Sequence, residues 1–176
     1  SGYDAIAPGN HDDAYGDDHL IHCSSLAPET KMLAINLSDD NGALRFAPSA
    51  VFHKNGLDVA VIGVFKPRDE DSFSFDETIK AIAAEANRLE SQSDLIVVVA
   101  HLGAKDCREI SEAVPNVDVF VSGHTHQAIK KPIVVPATDA LIIQAGSNAE
   151  YVGRLELTID DESGEILSSN GELIPM

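Results

Sequence analysis

Three short apolar stretches of this 176-residue chain run straight into clusters of donor side chains. Residues 3–7 (YDAIA) lead into Pro8-Gly9-Asn10-His11-Asp12, residues 95–100 (LIVVVA) into His101-Leu102-Gly103, and residues 117–121 (VDVFV) into Ser122-Gly123-His124-Thr125-His126. Imidazole nitrogens and an amide oxygen suit borderline or hard first-row divalent ions such as Mn, Zn or Fe, and no thiolate is positioned to select a softer metal. His124 and His126 are two apart, so on extended backbone both rings project to one side, a spacing suited to two adjacent ions or one shared site. His101 and Asn10 supply a further nitrogen and an amide oxygen. Such ions, about 4 Å apart, can bind a phosphoryl group, bridge a hydroxide and stabilise in-line displacement. A single histidine after a strand is more often structure than ligand; the weight lies in three clusters arriving in the same way.

The elements that must position these clusters read as α/β. Residues 58–64 (DVAVIGV), 95–100, 117–121 and 141–145 (LIIQA) are short, largely β-branched runs of the kind buried on both faces, and residues 3–7 form a weaker one. Ser74-Phe75-Asp76-Glu77 is a capping box ahead of a helix whose Ile79, Ile82, Ala83, Ala86 and Leu89 share one face. A second helix fits residues 108–113, stopped by Pro115. Asn55-Gly56 predicts a hairpin joining residues 50–53 to 57–61, and alternation over residues 154–160 predicts another that returns through Ile166-Leu167 across Glu162-Ser163-Gly164. Residues 38–42 and 67–72 read as surface loops. If the strands are parallel in one sheet, all three clusters stand on its carboxyl edge, where open α/β sheets bind ligands.

Composition narrows the chemistry. Twelve Lys and Arg against 29 Asp and Glu give a net charge of −17, a field that repels nucleic acid polymers and free phosphate alike. Phosphate chemistry here must bring its own cations. No run approaches the roughly 18 apolar residues of a membrane span. One domain covering residues 1–176 is the expectation from length. Cys23 and Cys107 could pair or remain free thiols.

In content, order and spacing, Gly9-Asn10-His11-Asp12, Ala100-His101-Leu102-Gly103 and Ser122-Gly123-His124-Thr125-His126-Gln127 resemble the calcineurin-like metallophosphoesterases. Within them the chain is most similar to the 5′-nucleotidase branch, which also carries segments like Gln144-Ala145-Gly146-Ser147 and Tyr151-Val152-Gly153-Arg154-Leu155. The resemblance implies a four-layer α-β-β-α sandwich with mixed sheets. It also implies hydrolysis of a small phosphate ester, nucleotides above all, at a two-metal centre, and export to the cell surface, the periplasm or the medium. Carried over by position, Asn10, His101 and His124 hold one divalent ion and His126 the other. His11 stabilises charge or protonates the leaving oxygen.

The family's Asp-x-His and Gly-Asp ligand motifs have no counterpart ahead of Asn10, so the chain reads as an N-terminally incomplete catalytic domain, lacking the first strands. Asp17-Asp18-His19 spells Asp-x-His but falls after the asparagine motif and reads as a solvated acidic loop. Ala14 stands where the branch has an acid that orients the catalytic histidine, leaving Asp13 as the neighbouring carboxylate within reach of His11. Asp106 and Cys107 belong to the following helix, and His19, His22 and His53 are assigned no function. Gly9, Gly103 and Gly123 let backbone approach the site closely. Two rival expectations remain: an inactive metal-binding or structural fragment, and a fragment activated by an N-terminal segment supplied in trans. An exposed sheet edge would favour a homo-oligomer.

Overall fold

The computed structural model describes residues 2–69, 72–160 and 164–176. Its centre is a six-stranded mixed sheet, built from β3 (Ser49–Lys54), β4 (Leu57–Val64), β5 (Leu95–Ala100), β6 (Val119–Ser122), β7 (Ile133–Val134) and β8 (Leu141–Ile143) in the order β3-β4-β5-β6-β8-β7. Strands β4, β5, β6 and β8 run parallel, and β3 and β7 are antiparallel at the two edges. The apolar runs become the central strands because both their faces are covered: Ala60, Ile62, Val64, Ile96, Val98, Phe120 and Ile142 are almost wholly buried.

Helices α2 (Phe75–Leu89) and α3 (Ala104–Ala113) make the βαβ crossovers. Ser74 caps α2 by accepting the Glu77 N–H at 3.4 Å, half of the expected box, and Thr78, Ile82, Ala86 and Leu89 form its buried stripe. Removing each large aliphatic side chain of that stripe from water contributes about 1.5–3 kcal/mol. Helix α3 begins four residues earlier than the sequence suggests, directly after Gly103, so that Cys107 and Ile110 are buried against the sheet.

Asn55 (φ 52°) and Gly56 (φ 88°) make the left-handed pair that a two-residue hairpin requires, joining β3 to β4 as expected. The other hairpin, β9 (Tyr151–Ile159) with β10 (Ile166–Pro175), is a separate two-stranded sheet that turns Leu155, Leu157 and Ile159 to its half-buried side. It extends further towards the C-terminus than the alternation indicated, and residues 161–163 of its expected turn lie outside the described residues.

Two expectations are corrected. The strand of residues 3–7 is reduced to β1 (Ala5–Ile6), and it is not part of the main sheet: it pairs parallel with β2 (Lys31–Met32). The chain beyond β2 carries this small sheet to the large one, Leu33 N–H bonding to Ile6 O and Ile35 N–H to Gly63 O, each at 2.9 Å. It passes so close to β4 that a Cβ on Gly63 would lie 2.0 Å from the Leu33 carbonyl oxygen. Secondly, Asp17-Asp18-His19 is the first turn of a helix, α1 (Asp17–Ser25), and not a loop. Two carboxylates at a helix start favour the macrodipole, and Asp17 pairs with Arg45 at 3.2 Å. The helix escapes notice because only Leu20 is buried, so no apolar stripe repeats along it. Both cysteines are free thiols, Cys23 exposed and Cys107 buried.

Candidate metal centre

The parallel strands deliver their C-terminal residues to one edge. His101 follows β5, its N–H continuing the ladder to Val64 O at 2.9 Å, and His124 follows β6 after a turn in which Gly123 N–H bonds to Leu102 O at 2.9 Å. Asn10 reaches the same place from the small sheet, in a tight turn closed by Asp12: Gly9 N–H donates to Asp12 Oδ2 at 2.7 Å and Asp12 N–H to Gly9 O at 2.9 Å. The outcome is a compact trio. His101 Nε2 stands 2.9 Å from Asn10 Oδ1 and 3.3 Å from His124 Nδ1, and the two rings meet edge to face at 5.1 Å.

Donors about 2.1 Å from an ion and at roughly right angles to one another stand about 3 Å apart. The trio has that spacing. Protons alone serve it poorly, because the single hydrogen or single lone pair of His101 Nε2 cannot bond Asn10 Oδ1 and His124 Nδ1 at once. Burial holds the His101 pKa below the usual imidazole value, with the neighbouring His124, His11 and Lys66 acting in the same direction and Asp12 opposing, so the ring is neutral and its lone pair available. Two neutral nitrogens and one amide oxygen fit a divalent first-row ion. Among the described residues, no group of three His, Cys, Asp or Glu side chains converges.

His126 does not join the trio. His124 (φ 61°) and His126 (φ 57°) both lie in the left-handed region, so a turn and not extended strand sets their rings, and the expected same-side projection is replaced by an inward His124 and an exposed His126. His11 is exposed next to Asn10 at the start of the 3-10 turn Asp12–Tyr15, close enough for its charge to lower the His101 pKa. Among the described residues no hydrogen bond joins Asp13 to His11, and Asp13 Oδ1 is buried with no hydrogen-bond partner there. His19 packs on Tyr15 and bonds Cys23, His53 bonds Asp58, and His22 is exposed.

Close approach is real at Gly9, where a Cβ would fall 2.6 Å from the His101 ring, and at Gly103, 2.6 Å from Thr125 Cγ2; at Gly123 the nearest atom is 3.4 Å away.

Two residues were given no role at the site from the sequence. Gln144, almost wholly buried just after β8, accepts from Ser122 Oγ and Thr125 Oγ1 at 3.0 and 3.1 Å and donates to Gly123 O at 3.0 Å, holding the turn that carries His124. A polar residue inside LIIQA was its signal. Lys66 leaves β4 at the same carboxyl edge and places Nζ 3.3 Å from His124 Nε2. Asn36 fixes the residue before it, bonding Phe65 O at 2.8 Å and Phe65 N–H at 2.9 Å.

Comparison with known proteins identifies the family. Residues 3–128 match the profile of the calcineurin-like phosphoesterases. An uncharacterized metallophosphoesterase, YunD, of Bacillus subtilis is 30% identical over 82% of this chain and 32% of its own length, and a 5′-nucleotidase of Diplobatis ommata is 27% identical over 98% and 34%. The crystal structure of a 5′-nucleotidase precursor from Thermus thermophilus superposes with a TM-score of 0.83 at 28% identity, over 99% of this chain and 39% of that one. The chain thus spans about a third of the length of the curated relatives it matches. With its mixed α/β sandwich, its ordered histidine motifs and this match over most of its length, the chain belongs to the calcineurin-like phosphoesterase family.

Proposed function

We propose that the chain is part of a metal-dependent phosphoester hydrolase of 5′-nucleotidase type, and that Asn10, His101 and His124 hold a divalent ion in it. The observation that supports this most directly is the meeting of Asn10 Oδ1, His101 Nε2 and His124 Nδ1 within 3.3 Å contacts. A bound ion supplies charge for the phosphoryl oxygens and a hydroxide at neutral pH. In a chain of charge −17 that charge also recruits the anionic ester.

The chain's own residues do the rest. Gln144 and the Gly9 turn hold the donors in place. His11, beside Asn10 and open to solvent, donates a proton to the leaving ester oxygen or holds its developing charge. His126, exposed on the turn after His124, is the donor for the second ion, which needs carboxylate ligands beyond these residues. A nucleotide is the substrate this reading favours, since several relatives are 5′-nucleotidases. Placement at the cell surface, in the periplasm or outside the cell belongs to the same proposal and rests on the family resemblance. Among the described residues, no helix is long and apolar enough to cross a membrane.

Release of inorganic phosphate from a nucleoside monophosphate, with Mn2+ added, tests the reading. His101→Ala and His124→Ala should abolish metal uptake and turnover together, whereas His11→Asn should keep the metal and lower kcat by about 10²–10⁴-fold. Full metal uptake with no turnover, in this chain and in longer ones containing it, would replace hydrolysis with a binding role.

A further inference from the structure

Lys66 faces the ring nitrogen of His124 that points away from the shared centre. Its ammonium can only donate, so at 3.3 Å it requires a lone pair on His124 Nε2. A neutral imidazole has a single N–H, which then sits on Nδ1 and is directed at His101 Nε2, 3.3 Å away. His101 Nε2 must accept it, leaving Asn10 Oδ1 opposite a lone pair at 2.9 Å. In the other arrangement His101 donates to Asn10, His124 carries its proton on Nε2, and two donors confront each other at Lys66. Neither arrangement satisfies all four groups.

A cation held by Asn10 Oδ1, His101 Nε2 and His124 Nδ1 would resolve the first three groups. It also forces the His124 proton onto Nε2, against the ammonium, so Lys66 has to turn away. Asn36 keeps its backbone in place, through the two bonds to Phe65, while the flexible stem swings. We propose that Lys66 is a phosphate-binding residue of this site: its ammonium rests on His124 Nε2 until a metal claims Nδ1, and then moves to the phosphoryl oxygens of the ester. This rests on the metal-centre reading above. The lysine's competition with the metal gives binding a definite order.

The consequence is a pair of opposite effects. Replacing the ammonium should favour the metal, because His124 loses its competing donor, and disfavour the anion, because a charge-assisted contact is lost. Mn2+ affinity is measured from free Mn2+ by electron paramagnetic resonance, and inorganic phosphate affinity by calorimetry on the Mn2+-loaded protein, for the wild type, Lys66→Met and Lys66→Arg. Lys66→Met should bind Mn2+ more tightly and phosphate about tenfold more weakly, while Lys66→Arg should restore most of the phosphate affinity. Phosphate affinity equal to wild type in Lys66→Met overturns the proposal, whatever happens to the metal. Unchanged Mn2+ affinity overturns the exchange of partners and the proposal with it. A wild-type chain that takes up no Mn2+ overturns the metal-centre reading first, a result recognisable without either variant. Circular dichroism on each variant identifies any loss due to misfolding, and Lys66→Gln then takes the place of Lys66→Met.

Discussion

Gly9 and His101 are packed so closely that the smallest added side chain would displace the ring, its Cβ falling 2.6 Å from ring atoms. Gly9→Ala should therefore leave the far-ultraviolet circular dichroism unchanged and weaken metal binding at least tenfold. Wild-type affinity in that variant would mean the ring has another rotamer equally able to bind. His101 also makes a statement about pH. Its folded pKa lies below the ordinary 6.5, so the unfolded chain binds the proton more readily; the stability concerned is present in full above about pH 6.5 and is lost as pH falls towards the folded value. Urea midpoints should fall from pH 7.5 to 5.5 more steeply in the wild type than in His101→Gln. The thiols differ in the same physical sense: burial pushes Cys107 up to about 12, while Cys23 is exposed. One thiol per chain should react with a thiol reagent under native conditions, and two after denaturation. Asn10, His101 and His124 were legible in the sequence because each follows an apolar run. Lys66 does so too, after residues 58–64, but a lysine beside a proline reads as a loop residue until its distance to His124 is known. The exposure of His126 was not legible, since nothing in Gly-His-Thr-His announces left-handed backbone at two residues that are not glycine.

At the scale of elements, the centre depends on buried polar clamps as much as on strands. Gln144→Leu keeps the volume but strips Gly123 O, Ser122 and Thr125 of their shared partner, and should cost about 1–3 kcal/mol of stability while weakening metal binding through His124. Wild-type stability and metal affinity in Gln144→Leu would show that packing and not hydrogen bonding holds the turn. Sequence pattern located the strands and α2 well, because strands buried on both faces and a capped amphipathic helix follow from local chemistry. It placed β1 in the wrong sheet. Parallel partners are chosen by tertiary contacts, here the close passage of residues 33–35 over Gly63, and short runs such as YDAIA carry no record of their neighbour. It missed α1 because a helix lying largely in solvent has little apolar period to read.

The whole molecule joins a six-stranded sheet, a small parallel pair and a hairpin, and the hairpin carries exposed apolar side chains. Val152 and Ile174, directly opposite each other on β9 and β10, are 48% and 41% exposed, and Met176 is 80% exposed. Such a patch on paired strands favours self-association, which the charge of −17 opposes at low salt. Light scattering should show a mass that rises with protein and salt concentration and returns to the monomer in Val152→Glu with Ile174→Lys; a monomer at every concentration would contradict this. The account as a whole depends on three chain segments, far apart in sequence, building one ion site. Its most direct test is the metal content of the purified chain after exposure to Mn2+ or Zn2+, for the wild type, His101→Ala and His126→Ala. The account predicts about one ion per chain in the wild type, lost in His101→Ala and kept in His126→Ala. A wild-type chain without metal, or an ion that survives in His101→Ala, would contradict it.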